Sequence, residues 1–376
     1  MKCCCRCSFS PLLVSLAICA ASSADDPGQQ AKDAIIVRTL ARLPDVDLGG
    51  RPAAKAALLR HLQTIRGTEP WLDLVDKFQL RELKQDVLAL AREHAEDTLG
   101  VKAGRTLLRW DERDLVRAEI NAPDHEQAAK LVRVLGLTAD ARTNDWFVSL
   151  IGAESLPLTV QSAAVAALGR NLPGQKQLLA IVEQGQLPQP LKFAAADVLL
   201  SSADQAVRTA AARHLSLPAA AGGEALPPVA ELVKRAGQAD RGKQLFAGIG
   251  TCAKCHKVRG EGKEVGPDLS EIGSKLSKEA LYVSILDPSA GVSFNYETWL
   301  ARMLDGTVLS GILVSQTDDS VELRTAEAVV HQLPRRDLEA LQKQSISLMP
   351  ADLQKQLQAQ DLVDIVDYLA TLRKEN

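Results

Sequence analysis

The sequence predicts a mainly α protein in which an N-terminal α-solenoid precedes a smaller helical domain with an inserted β-meander. Three observations support this fold class. Alanine and leucine recur at helical spacing over residues 28–217, with Gly or Pro between the segments. A nine-residue pattern within this region returns after 31 residues. Between about residues 293 and 335 the apolar spacing changes to two, which is typical of β-strands.

The first residues have the pattern of a secretory signal peptide. Lys2 and Arg6 precede an apolar run over residues 12–21, and small residues follow as far as Ala24. We expect residues 1–24 to be a signal peptide that is cleaved after Ala24. The mature protein would then be periplasmic or otherwise exported.

The cysteines are distributed unevenly along the chain. Five of the seven lie within the first nineteen residues, so removal of the signal peptide leaves only Cys252 and Cys255. Neither a disulfide framework nor a spare thiol is then expected. A lipoprotein anchored through Cys19 is less favoured, because the bulky Ile18 stands where a small residue is expected.

The repeat pattern defines the first domain. Residues 156–164 align with residues 187–195, and a third related segment covers residues 207–215. A period of this size, with small residues where paired helices approach, resembles HEAT repeats. A plain helical bundle remains the alternative. In the same region, apolar spacing predicts one helix from Trp71 to His94.

The length and the charge of the chain indicate its domains and the partners that it does not bind. We predict the HEAT-like domain over residues 25–217, a linker over 218–236 and a second helical domain over 237–376. A net charge of −3 without long runs of like charge argues against nucleic acid as a partner. No transmembrane segment is predicted after the signal peptide.

The motif Cys252-Ala-Lys-Cys255-His256 predicts covalent attachment of one c-type haem. The two thiols are suited to form thioethers with the porphyrin vinyl groups, and His256 is then placed as the proximal ligand of the iron. A thioredoxin-like pair and half of a zinc site are the alternatives. Both are less favoured, because no second Cys/His pair at zinc spacing and no βαβ pattern accompany the motif.

The sixth iron ligand is sought among few residues. After the signal peptide the only methionines are Met303 and Met349, and His331 is the only histidine after the motif. Met349 is favoured because it lies in a loop just before the last helices. Met303 and His331 lie in predicted strands, where packing or exposure is the simpler role. An open or water-ligated iron remains the alternative.

The flanking helices resemble those of class I cytochromes c. In that class a glycine on the first helix allows the last helix to cross closely, with aromatic residues at the crossing; Gly242, Phe246 and Tyr368 match this pattern. Gly266-Pro267 resembles the loop whose proline carbonyl accepts the ring N–H of the proximal histidine.

The ordered motifs of the second domain resemble the Planctomycete/Verrucomicrobia-type haem-binding domain, a c-type cytochrome family. Matching stretches occur at residues 241–246, 252–256, 265–269, 285–288, 305–306, 347–350 and 367–369. Relatives often carry helical repeats before this domain, and many also have a propeller resembling sugar dehydrogenases. This chain has no propeller pattern, so no dehydrogenase activity of its own is expected.

The predicted function is electron transfer by one haem c rather than catalysis. The expected partners are redox proteins: a periplasmic dehydrogenase-type donor, and an oxidase or other acceptor, with the helical repeats as the docking module. A peroxidase-like enzyme that uses His331, or a sensor in which a small ligand displaces Met349, is the alternative. The inserted β-meander is a lid over the haem edge, a docking surface or an inert insertion.

Overall fold

The computed structural model describes residues 27–44, 46–95 and 97–374, which are mainly helical. The predicted signal peptide, its cleavage site and Cys19 lie outside the described residues. The chain divides into two units at the boundary between Asp86 and Val87, and the predicted domain limits at residues 217 and 236 stay predictions. No helix within the described ranges combines the length and apolar character needed to cross a membrane.

The first unit consists of short helices. They are α1 (Pro27–Arg42), α2 (Pro52–Thr64) and α3 (Glu69–Lys77), followed by α4 (Lys84–Glu93), which spans the unit boundary. The single helix predicted from Trp71 to His94 is wrong. Its apolar period continues across α3 and α4, but Gln79 between them has a φ of 50°, which a helix does not accommodate.

The second unit begins with helices packed in two rows, which we call the helical region (residues 98–211). The helices are α5 (Thr98–Arg109), α6 (Arg113–Ile120), α7 (His125–Leu137), α8 (Asn144–Ile151), α9 (Leu158–Leu168), α10 (Leu172–Glu183), α11 (Lys192–Leu200) and α12 (Gln205–Ala211). In one row α7 packs between α5 and α9, and α9 packs on α11. In the other row α10 packs between α8 and α12.

Glycines make the close contacts of the first row. A Cβ atom at Gly104 would lie 2.8 Å from the Val134 side chain, and one at Gly136 would lie 2.6 Å from the Ala167 side chain. Gly169, at the end of α9, has the same relation to Val198 on α11. These glycines are about 32 residues apart, so the same contact recurs from one helix to the next.

The rest of the second unit, which we call the C-terminal region (residues 229–374), combines helices with short strands. Its elements are α13 (Val229–Leu232), α14 (Ala239–Ala247), β1 (Lys257–Val258), β2 (Glu261–Gly262), α15 (Ile272–Lys275), α16 (Lys278–Leu286), β3 (Thr298–Met303), β4 (Val308–Gln316), β5 (Ser320–Arg324), β6 (Val330–Pro334), β7 (Leu338–Lys343) and α17 (Ala359–Thr371). A hydrophobic core joins α14, α16 and α17.

The segment predicted as a linker contributes to that core. Ala220 and Leu226 are buried in it, and the Ala221 N–H donates to the Leu357 carbonyl at 2.9 Å. The Val229 N–H donates to the Asp197 carboxylate on α11 at 2.7 Å. These contacts attach the end of the helical region to the C-terminal helices.

The β-meander is present as part of an antiparallel sheet. Among the described residues, its five strands lie in the order β6-β5-β4-β3-β7. Ala301, Val321, Leu323 and Leu333 are buried on one face. The predicted insertion ends near residue 335, whereas the sheet extends to Lys343 because β7 returns to pair with β3.

Candidate haem-binding site

The cysteine motif follows α14 in a tight turn. Thr251 has a φ of 57°, and a 3₁₀ turn over Cys252–Lys254 follows it. The His256 N–H donates to the Cys252 carbonyl at 2.9 Å. The turn therefore holds the first cysteine and the histidine of the motif in one short hydrogen-bonded structure.

A second loop closes over this turn. The N–H groups of Val265 and Gly266 both donate to the Cys255 carbonyl, at 2.9 Å and 2.8 Å. Gly266 lies against the imidazole, since a Cβ there would be 2.5 Å from His256 Cε1. Any larger residue would displace the ring, so glycine is needed for this approach.

The imidazole of His256 has a defined orientation. Its Nδ1 lies 2.8 Å from the Pro267 carbonyl oxygen. A carbonyl only accepts hydrogen bonds, so Nδ1 carries the proton and Nε2 carries the lone pair. Burial lowers the pKa of His256, and the bond to Pro267 opposes that shift. The ring is therefore neutral at neutral pH, which is the form that ligates a metal.

The two thiols are half-buried and not joined by a disulfide. Burial raises the pKa of Cys252 to about 11, and it also raises the pKa of Cys255. Without a cofactor, both side chains are therefore thiols rather than thiolates at neutral pH. Over the described part of the chain, no three His, Cys, Asp or Glu side chains are grouped to hold a metal ion.

The three candidates for the sixth ligand occupy different places. Met349 is half-buried against the same core cluster as Cys252. Met303, at the end of β3, packs in the core of the sheet instead. His331 lies in β6 with an exposed side chain. Of the three candidates, Met349 is therefore the one that packs against the same hydrophobic core as Cys252 of the motif.

Helix α14, which precedes the motif, crosses α17 in close contact. A Cβ at Gly242 would lie 1.9 Å from the Asp364 carbonyl oxygen, so the two backbones are in direct contact. Phe246 and Tyr368 pack edge to face, with ring centroids 5.7 Å apart. The structure thus brings all three predicted crossing residues together.

Charged residues at this crossing were not predicted from the sequence. The Arg241 guanidinium pairs with both Asp361 and Asp364. The Gly237 N–H donates to Asp367 at 2.9 Å. The spacing of these three aspartates, every third residue along α17, was the available signal, because it places them on one face.

The sheet is attached directly to the loop beside the motif. Arg324, at the end of β5, donates through Nη1 to the Glu264 carbonyl at 2.5 Å. Glu327, in the following turn, contributes to the raised pKa of Cys255. The β5–β6 turn therefore lies on the Cys255 side of the site.

Residues 239–298 match the family model of Cytochrome c. This segment is a c-type cytochrome haem-binding domain. The match includes α14, the motif, the Pro267 loop and α16, and it ends at the start of β3, before Met349. A search of curated proteins finds no match to the chain.

The cofactor of such a domain is covalently bound haem c. The residues present fit this group. Cys252 and Cys255 lie on one turn, and a neutral imidazole with its Nε2 lone pair follows them. The half-buried apolar side chains of Ala253, Leu269 and Met349 lie against the same core as Cys252.

Proposed function

We propose that the chain is an exported electron carrier with one haem c and no catalytic reaction of its own. The observation that carries the proposal is the fixed tautomer of His256, held by Pro267 at 2.8 Å beside the two cysteines of the motif. An imidazole presented in this way suits permanent iron ligation. When bound, the haem supplies an iron that takes up and releases one electron.

Each residue has a distinct role in this proposal. Cys252 and Cys255 hold the porphyrin through thioether bonds, and His256 ligates the iron through Nε2. Met349 would be the second protein ligand of the iron. The contact of Met349 with the shared core supports this assignment, as does the location of Met303 and His331 in the sheet. Two protein ligands keep the coordination unchanged in both oxidation states.

The spectrum of the full-length, haem-loaded protein tests this proposal. We expect a low-spin ferric spectrum with the weak long-wavelength band of methionine-to-iron ligation, and a Met349→Leu variant that lacks this band. Met303→Leu is the matched control and should retain it. A high-spin ferric spectrum of the wild-type protein would contradict the carrier and favour the enzyme or sensor.

We also propose that the helical region is a HEAT-like solenoid that docks a redox partner. The recurring glycine contacts along α5, α7, α9 and α11 support the solenoid, because stacked repeats repeat their interfaces. A cavity of about 370 Å³ lies beside α6 and α8. Arg113, Arg117 and the half-buried Trp146 line it, and arginine and tryptophan are common at protein interfaces.

Reduction kinetics with the physiological donor, a dehydrogenase-type protein, test the docking role. We expect a Trp146→Ala variant to be reduced more slowly at low donor concentration, by about fivefold, and equally fast at saturation. Reduction of the same variant by dithionite should be unchanged. Equal rates for wild type and variant at every donor concentration would remove this surface from the proposal.

A further inference from the structure

Two hydrogen bonds in series connect the Met349 loop to the turn that follows α16. The backbone N–H of Met349 donates to the Ser347 hydroxyl oxygen at 3.1 Å. The backbone N–H of Ser347 donates in turn to the Ser289 hydroxyl oxygen at 3.1 Å. We call this pair of bonds the serine relay. Through it, the position of the Met349 backbone depends on a residue 60 positions earlier in the chain.

The Ser289 end of the relay is firmly anchored. Ser289 lies between the buried residues Pro288 and Ala290, and the Ala290 N–H donates to the Asp287 carbonyl at 3.0 Å. The preceding helix α16 buries Tyr282 and Leu286 in the core that it shares with α17. Ser289 therefore moves with the core of the region and not with the loop.

The Met349 end has few other supports. Ile346 and Pro350, on either side of the Ser347–Met349 stretch, are exposed, and the stretch lies outside helices and strands. Its Ser347 and Met349 N–H groups take their acceptors from serine side chains and not from backbone carbonyls. The loop is thus located mainly by the relay and by the contact of Met349 with the core.

We propose that Ser289 and Ser347 are positioning residues that hold Met349 in place as the sixth ligand of the iron. This inference rests on the proposed function, because it requires Met349 to ligate. A neutral thioether is a weak ligand, so its occupancy depends on how well the loop is held in the binding position. Opening the loop breaks the relay, and a missing relay bond therefore increases the open fraction.

Competition by imidazole for the ferric iron of the full-length, haem-loaded protein measures this open fraction. We expect Ser289→Ala and Ser347→Ala each to bind imidazole roughly fivefold more tightly than wild type, since each removes one hydrogen bond of the closed loop. Ser347→Thr, which keeps a hydroxyl, should restore the imidazole affinity of the wild type.

Ser284→Ala is the matched control. Ser284 lies on α16 with an exposed side chain, and its hydroxyl donates to the Ala280 carbonyl of its own helix. Its loss should leave imidazole affinity unchanged. A general loss of stability in α16 would instead affect the control and the Ser347→Thr variant as well.

The outcomes separate the relay from the proposed function. If Met349→Leu removes the methionine band while both relay variants bind imidazole like wild type, the positioning role of the serines is contradicted. Ligation of the iron by Met349 is then still supported. If Met349→Leu leaves the spectrum unchanged, Met349 is not an iron ligand. The positioning role of the serines is then contradicted as well. Tighter imidazole binding by both alanine variants, restored by Ser347→Thr, supports both.

Discussion

The helical region and the C-terminal region are held together by contacts of different range. In the helical region, Asn144 and Asn171 exchange amide hydrogen bonds over 27 residues, and Gln175 and Ser202 are joined over the same separation. In the C-terminal region, Gly237 and Asp367 are joined over 130 residues. The first region repeats a local contact, whereas the second depends on one crossing that forms only when its last helix is in place.

Two glycines, one in each region, meet different kinds of obstacle. At Gly242 the atom in contact is a backbone oxygen of Asp364, which no side-chain movement can clear. At Gly104 the atoms within reach all belong to side chains, of which Val134 is the closest at 2.8 Å. The same substitution at both positions therefore compares a backbone obstacle with a side-chain obstacle.

The largest expected effect is that of Gly242→Ala. The added methyl group forces α14 away from α17, and we expect a loss of about 3 kcal/mol or more in the unfolding free energy of the C-terminal region. Denaturant unfolding followed by haem absorbance measures this loss, together with the yield of haem-loaded protein. Gly291→Ala is the control, since no atom lies within 4 Å of its added Cβ.

Gly104→Ala is the counterpart in the helical region. We expect this substitution to change the unfolding free energy of the helical region by less than about 1 kcal/mol. The higher helix propensity of alanine offsets part of the steric cost. Far-UV circular dichroism during denaturation follows this region. An equal loss for Gly104→Ala and Gly242→Ala would show that the side-chain contacts at Gly104 tolerate a methyl group no better than the backbone contact at Gly242.

The carboxylates at helix ends also differ between the two regions. In the helical region, Asp97, Asp124 and Asp204 cap the N-termini of α5, α7 and α12, where a negative charge is favourable. In the C-terminal region, Asp287 lies at the C-terminal end of α16, where a negative charge is unfavourable. Burial raises the pKa of Asp287 to about 6, and its Oδ2 has no hydrogen-bond partner.

A smaller effect is therefore expected from Asp287→Asn. The folded chain keeps the Asp287 proton up to about pH 6, whereas the unfolded chain releases it near the ordinary value of 3.8. Wild type thus loses stability relative to the variant as pH rises from about 4 to 6. Allowing for solvent screening, we expect the variant to be more stable by roughly 1 kcal/mol at pH 7.

Denaturation of both proteins at pH 4 and pH 7 measures this difference. The advantage of Asp287→Asn should be absent at pH 4. Asp318→Asn, which changes an exposed carboxylate in a turn of the sheet, is the control for the loss of one negative charge. A constant difference between wild type and Asp287→Asn at both pH values would rule out titration of this carboxyl group as its cause.

Local patterns predicted helices over residues 28–217 and strands between about residues 293 and 335, but they failed at two places. Strand β7 has the sequence Leu-Glu-Ala-Leu-Gln-Lys, in which every residue is a good helix former. It is a strand because pairing with β3 outweighs this preference. Conversely, the apolar period from Trp71 to His94 predicted one helix, which the left-handed backbone at Gln79 divides.

The candidate site was also only partly predictable from local sequence patterns. Cys252, Cys255 and His256 are neighbours in the chain, so their joint placement on one turn follows from their spacing alone. Ser289 and Arg324 could not be linked to the site in this way, because nothing in their own segments specifies a hydrogen-bond partner. Their roles depend on which loops meet, at Ser347 and at Glu264.

The haem-attachment motif, the helical period and the change to strand spacing are evident in the chain alone, because each depends on residues within one or two turns of one another. The tertiary structure was needed to show that Met349 shares a core with Cys252, that Arg241 pairs with Asp364 and that Ser289 anchors Ser347. These contacts join segments 58 to more than 100 residues apart. They exist because a close-packed core allows few arrangements of its helices, and no local pattern encodes that choice.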